Sequence, residues 1–461
     1  MFLSIRELAQ ESQLSEHLAF DALGEVVTPG VIEAVIGQTD AREERVRKLP
    51  ASVMLVFCIA MNLLAAESLS SVFARLVRGL KWSGIHPNAV QASKSALCQA
   101  RYRLGERPLI ALFHQVCRPL ATPTTKGAFI FGLLHVAIDA QTLDLPDTAA
   151  NERHFGRPTT ARGLCAFPQA YLVGLLECAT HAFFDATLVP YPASLHQAAQ
   201  RLVRSITHGM LVSFDCGLHS YPLIRAIRTK GAHVLSRLSA GVRPQIVKEL
   251  HDGSVLARIF PSSGIQRRQR ALLVRMITYT FDDPNRPGYG EVHRLLTTLL
   301  DPTLAPAKEL IVAYHNRWEY ELAVDEVETH LRPRLPLRSK LPAGIIQEVY
   351  GLLIAHYLVR KVMHDAAVQA DLPPIRLSFL ETVRLLRDYL PDFQRHAPQE
   401  QPFLYQALLD EVKAAKLPPR ANRINPRVVK RKMSNFNVKR PCHKHWPQPT
   451  KAFQEAIVLL I

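Results

Sequence analysis

Hydrophobic residues change their spacing partway along the chain. Up to about residue 125 they recur with a helical period, in runs such as Leu55–Leu64 and Leu69–Leu80, with charged stretches such as Asp40–Lys48 between them. The segment Ala121–Lys126 (ATPTTK) reads as a linker, and after it come short apolar runs rich in β-branched and aromatic residues. Strands are predicted at Phe129–Ile138, Tyr171–Cys178, Phe183–Val189, Met210–Phe214 and His233–Leu238, with helices at 194–207 and 220–230. The order β-β-β-α-β-α-β suits an α/β sheet with an antiparallel edge and parallel partners, the end of the first strand beside the end of the fourth. Strand-like pieces between about 240 and 300 (SVLARIF, ALLVRMITYTF, EVHRLLTTLL) read as an inserted β subdomain, and helical patterns resume from about Ala305. The predicted divisions are a helical domain at 1–125, a core at 126–240 and 301–400 split by the insertion at 241–300, and a tail at 401–461.

Composition narrows the class. At 461 residues and 48% hydrophobic content the chain can bury two or three cores. Its most membrane-like run, Ala51–Ala66, is interrupted by Ser52 and Asn62 and is shorter than the ~20 residues of a span, so a buried helix is expected and no membrane. Arg6, Glu7, Glu11 and Glu16 break any apolar signal core, and the seven cysteines form no CxxC pair. A reducing, cytoplasmic setting is therefore expected, without a disulfide framework or zinc ribbon. The net charge of +16 points to a polyanionic partner, because clustered cations release counterions from a phosphate backbone. Eleven Lys or Arg, Lys430, Arg431 and Lys432 among them, fall between Lys413 and Lys444 with no Asp or Glu. That proline-bearing stretch is expected to lie extended along DNA phosphates.

Two aspartates stand where catalytic chemistry is often placed. Asp139 follows the apolar run HVAI and Asp215 follows LVSF, so each is expected at the carboxyl end of a buried strand, where open α/β sheets bind ligands. Asp also ends strands because it favours turns, and Asp144, Asp147 and Asp185 are rivals. A third carboxylate comes from YHNRWEYELAVDEVETHL. Read as one continuous helix at ~100° per residue, it aligns Tyr314, Arg317, Glu321 and Glu328 along one face. An ordinary Arg317–Glu321 pair on a solvated face gives the same spacing.

These stretches carry a resemblance that covers nearly the whole chain. AIDAQTLDLPDTAANERHFG around Asp139, LVSFDCGLHSYPLIRAIRTKGAHVLSRL around Asp215, LLTTLLDP, and YHNRWEYELAVDEVETHLRPRLPLRSKLPAGIIQEVYGLL around Glu321 resemble bacterial transposases of insertion sequence family four, in the DDE superfamily. The family signature is Tyr, two residues, Arg, three residues, Glu, six residues, Lys. Tyr314, Arg317 and Glu321 satisfy it, while Glu328 stands at the lysine position.

The resemblance implies an α/β protein with a ribonuclease-H-like catalytic core, an inserted β subdomain and a preceding all-α DNA-binding domain. It implies cut-and-paste transposition: cleavage at the transposon's terminal inverted repeats and strand transfer into target DNA by a homodimer. Asp139, Asp215 and Glu321 become the catalytic, metal-binding acids. Carboxylate oxygens suit hard divalent cations, so two Mg²⁺ ions are expected, with Mn²⁺ able to substitute. Tyr314 and Arg317 become phosphate contacts. Trp318 is a candidate to stack on a displaced base or, equally, to pack against the sheet. The N-terminal stretches REERVRKLPA and SKSALCQARYRLG resemble the family's repeat-recognising domain. In the second, Lys94 and Arg101 share a face of a helix capped by Ser93 and become DNA contacts. His330, Arg332, Arg338 and Lys340 are cations that could offset Glu328, and Arg338 and Lys340 become candidate phosphate contacts. The alternative reading, resting on Glu328, is a remnant that binds inverted repeats without cutting.

Overall fold

A computed structural model describes residues 26–44, 49–77, 92–160, 163–239, 241–261, 270–332, 336–396, 399–418, 428–430, 437–439 and 448–460. Among them, helices α1 (Pro29–Gln38), α2 (Ala51–Leu63), α3 (Leu69–Leu76), α4 (Lys94–Leu104) and α5 (Arg107–Val116) come first. An α/β stretch follows: β1 (Leu133–Asp144), α6 (Ala149–Phe155), β2 (Gln169–Glu177), β3 (Phe183–Pro190), α7 (Leu195–Leu202), β4 (Met210–Phe214), α8 (Tyr221–Thr229) and β5 (His233–Arg237). Then come β6 (Gln245–Glu249), β7 (Val255–Ile259), β8 (Leu272–Phe281) and β9 (His293–Thr297). The remainder holds α9 (Ala307–His315), α10 (Glu319–Asp325), α11 (Pro342–Gln369), α12 (Phe379–Phe393), α13 (Gln401–Ala414), β10 (Val428–Lys430), β11 (Asn437–Lys439) and β12 (Ile457–Leu459). The predicted β-β-β-α-β-α-β order holds from the second strand onward, but helix α6 comes between the first two strands, where none was predicted. Many helices start where a hydroxyl can accept the orphan N–H three residues on: Ser68, Ser93, Thr148, Ser194, Ser220 and Ser378 all do so. Each such cap contributes about 1 kcal/mol.

The chain divides into two compact units whose boundaries do not follow the divisions read from the sequence. The first unit takes the described residues up to Phe129, Leu134–Ser205 and Trp318–Leu417. Here β1, β2 and β3 form an antiparallel meander in which Asp139 lies opposite Gly174. The N-terminal helices do not stand apart as a domain. Their apolar residues, Leu55, Phe57, Leu97 and Leu112 among them, belong to one core with Leu176 and Phe183 of the meander and Leu353 of α11. The close approach of α2 to α11 depends on Gly351, where a Cβ would come within 2.5 Å of the Cys58 carbonyl oxygen. The presumed linker is pinned rather than loose: the amides of Leu120 and Ala121 donate to the buried Glu177 carboxylate at 3.0 and 3.1 Å. Residues 401–414, assigned to the basic tail, are helix α13 packing Leu408, Leu409 and Val412 into the core.

Helix α2 is buried on all sides except at Ser52, as its composition predicted. The sequence reading passed over α11, which is long and apolar enough to cross a membrane; 83% of its apolar window is buried within the protein.

The second unit takes Ile130–Leu133, Ile206–Arg317 and the described residues after Pro418. Strands β4 and β5 are parallel; β9 joins β5 antiparallel, followed by β8, β7 and β6 in a meander. The insertion is therefore a continuation of the β4–β5 sheet. Helix α9 packs Leu310 and Ile311 on Leu211, Leu235 and Leu295 of that sheet. Arg275 of β8 is fully buried because it has partners: it pairs with Asp252 and donates to Ser254 Oγ and the Ala305 carbonyl.

Candidate active site

In the first unit, Asp139 does not end its strand. β1 runs on to Asp144, and Asp139 sits mid-strand at its half-buried stretch with Ala140 N donating to its Oδ1 at 2.8 Å. The apolar run HVAI ended where burial ended, and the pairing with β2 continues past it. Side chains two apart on a strand share a face, so Gln141 accompanies Asp139. Gln141 Nε2 lies 3.3 Å from Glu328 Oε1. Glu321, in the first turn of α10, is exposed, and Tyr320 beside it is buried with its hydroxyl donating to the Asp139 carbonyl at 2.9 Å.

The continuous helix expected through Tyr314–Glu328 is interrupted twice. Asn316–Trp318 form a 3₁₀ turn and Glu326–Leu331 a π-helix, so the 100° step cannot be carried through either. The π-helical turn begins at Glu326, whose carboxylate meets His181, His356 and Arg360 in the buried interior. Glu328 is half-buried; burial pushes its pKa up, against Gln141 and the nearby Arg332.

The rival aspartates have structural partners. Asp185 is fully buried and takes hydrogen bonds from Arg204 and from Ser205 Oγ. Asp144 accepts from Gln169 at 2.8 Å, and Asp147 pairs with Arg157.

In the second unit, Asp215 follows the last residue of β4, as predicted. Its Oδ1 accepts from the amides of Gly217 and Leu218 at 2.9 and 3.1 Å, which caps the turn after the strand. Tyr314 closes α9 with the Arg317 guanidinium 5.7 Å from its ring centre. Burial pushes the Tyr314 phenol up to about 12; Arg317 and Arg237 oppose the shift and Asp215 adds to it. The signature Tyr and Arg thus stand with Asp215 and with Arg237, the last residue of β5, which the sequence reading missed. A lone Arg ending an apolar strand carries no sequence signal. A phenol and two guanidiniums beside a carboxylate can hold a phosphodiester by charge and hydrogen bonding.

The N-terminal contact prediction splits. Ser93 caps α4, with Ala96 N donating to its Oγ, and Lys94 is exposed. Arg101 is buried and is not available to phosphate: its guanidinium donates to Ser339 Oγ and the Gly344 carbonyl, bracing α4 against the start of α11. Although the two are seven residues apart on α4, Lys94 at its start faces solvent while Arg101 a little further on is turned inward. Arg338 is likewise committed, donating to the carbonyls of Ala65 and Glu67. Lys340 is exposed, and Trp318 keeps 42% of its surface exposed. Arg431 and Lys432 lie outside the described residues, and of Lys430 only the backbone, ending β10, is described. Replacing Arg101 by Met is expected to lower the melting temperature while leaving the salt dependence of DNA binding unchanged. Lys94→Ala is expected to flatten that slope by up to ~0.9 per lost phosphate contact without lowering the melting temperature.

Two family models match the chain: the insertion element 4 transposase N-terminal domain over residues 17–114 and the transposase DDE domain over 130–358. The transposase InsG of insertion sequence element IS4 from Escherichia coli (strain K12) is 30% identical over 417 residues, 89% of this chain and 91% of that protein. The chain belongs to the IS4 family of DDE transposases. It is an enzyme that cuts and rejoins DNA, binds DNA and depends on a divalent metal, with a ribonuclease-H-like core in its mixed α/β fold. A chain in a cryo-EM structure of the piggyBac transposase synaptic complex with hairpin DNA is also similar, with TM-score 0.45 and 11% identity over 84% of each chain.

The carboxylates of the transposase suit such a metal by their chemistry. Asp139 and Asp215 are half-buried and Glu321 is exposed, and all three offer hard oxygen donors. Among the described residues no three His, Cys, Asp or Glu side chains are gathered into a ready-made cage.

Proposed function

We propose that the transposase moves an insertion sequence by cutting at its terminal inverted repeats and joining the freed 3′ ends to target DNA, with Asp139, Asp215 and Glu321 as the metal-binding acids. The observation that carries this reading is the DDE-domain match over 130–358, which spans all three acids and the Tyr314–Arg317 pair. Two Mg²⁺ ions, replaceable by Mn²⁺, are the proposed cofactors; when bound they activate the attacking water or 3′-hydroxyl and stabilise the leaving 3′-oxygen. Tyr314, Arg317 and Arg237 would position the phosphodiester, Lys94 and Lys340 would approach the backbone, and Trp318 would offer its exposed face to a base. The basic tail would add affinity without sequence preference. A homodimer acting in the cytoplasm completes the proposal.

Nothing in the structure or the comparisons favours a remnant that binds without cutting. Glu328 is accommodated by Gln141 and lies near Arg332. The test is incubation of the purified protein with Mg²⁺ and a labelled fragment carrying the element's own end. Cleavage at the junction is expected, and binding without any cleavage in Mg²⁺ or Mn²⁺ would establish the remnant instead.

A further inference from the structure

Two residues directly before Glu321 are anchored to the β1–β2–β3 meander. Tyr320 is 2% exposed and reaches through the core to donate its hydroxyl to the main-chain carbonyl of Asp139 at 2.9 Å. Glu319 Oε2 lies 2.8 Å from Nε2 of His181, which is fully buried in the turn between β2 and β3. Tyr320 is followed directly by Glu321. One hydrogen bond therefore ties the backbone that bears Asp139 to the side chain adjoining Glu321.

The sequence makes room for that bond at one place. Gly174 lies opposite Asp139 in the antiparallel pairing. A Cβ on Gly174 would fall 2.7 Å from the Tyr320 hydroxyl and 2.7 Å from Cε1 of Phe183. The Phe183 ring packs edge-on against Tyr320, centroids 5.6 Å apart at 82°. Only a residue without a side chain opposite Asp139 admits the hydroxyl.

We propose that Tyr320, admitted by Gly174, is a positioning residue that sets the spacing between the Asp139 and Glu321 carboxylates and thereby their affinity for the metal. The proposal rests on the reading of Asp139 and Glu321 as metal ligands. A hydroxyl fixed to a carbonyl holds α10 at one height along β1. Without it the helix can slide or tilt on its remaining apolar contacts, and two oxygen donors must then be gathered at the moment of binding, which weakens affinity.

The test is Mn²⁺ binding to the full chain, read by electron paramagnetic resonance as the loss of free-ion signal during titration. Tyr320→Phe keeps the ring and removes the hydroxyl. A lost hydrogen bond of ordinary strength predicts a midpoint raised about five- to tenfold. The Mn²⁺ concentration for half-maximal cleavage of the element-end fragment is expected to move by the same factor, with the rate at saturating metal near the parent's. Gly174→Ala, which displaces the same hydroxyl, is expected to move the midpoint in the same direction. Asp139→Asn and Glu321→Gln separate the two ideas. If both abolish Mn²⁺ binding while Tyr320→Phe binds as the parent does, the positioning role is wrong and the ligand assignment stands. If either binds Mn²⁺ like the parent, the ligand assignment fails and the positioning role falls with it.

Discussion

Alanine at Asp139, at Asp215 or at Glu321 is expected to abolish DNA cleavage, with binding to inverted-repeat DNA kept within a few-fold. On the proposed assignment each substitution removes an oxygen donor to the metal and no phosphate contact, so chemistry and binding separate. The effect should be among the largest of any single change, because ligands acting as one unit fail together. Asp185 is taken up by Arg204 and Ser205, Asp144 by Gln169 and Asp147 by Arg157. The measurement is junction cleavage of the labelled element end in Mg²⁺, beside a mobility-shift titration. A mutant that cuts at a rate near the parent's would remove its residue from the site.

Replacing Glu326 by Gln is expected to cost about 3–5 kcal/mol of stability, the range for breaking a buried ion pair from one side. Glu326 accepts from Arg360 Nε at 2.8 Å and lies 3.1 Å from His356 and 3.0 Å from His181. Arg360 keeps only 2% of its side chain exposed, so its charge cannot recover solvent when the carboxylate is gone. Burial, the largest influence, disfavours the Glu326 charge, but Arg360 and the two histidines outweigh it and hold the carboxyl well below the usual range. A depressed carboxyl contributes stability that is present above its unfolded value and lost as pH falls toward the folded one. Burial also lowers His356 and His135 to about 4. The unfolded histidines take up protons near 6.5 while the folded ones do not, so stability should already decline from about pH 6.5 downward. Denaturant melts from pH 8 to 4 check both statements. A Glu326→Gln variant as stable as the parent, or a parent whose stability does not fall below pH 6.5, would mean the cluster is not the buried network described.

Much of the architecture was legible in the amino-acid pattern. The strands of the α/β stretch, the buried α2, the Ser93 cap and the position of Asp215 follow from local periodicity, burial and turn chemistry. These act over a few residues and leave their mark in a few residues. The acidic triad itself came from family resemblance, since two strand-end aspartates and a helical glutamate are too common to stand alone. Tertiary structure decided what depends on distant partners. Burial against Ser339 and Gly344 turned Arg101 from a surface cation into an internal brace, and the carbonyls of Ala65 and Glu67 did the same for Arg338. A π-helical turn beginning at Glu326 interrupts the helix that the 100° step had drawn straight. Gly174 and Tyr320, 146 residues apart in the sequence, meet at Asp139 only because strand pairing sets Gly174 opposite it and Tyr320 reaches it from α10. Sequence alone specifies a residue's shape and charge, while the free energy of burying it depends on neighbours that only the folded chain assembles.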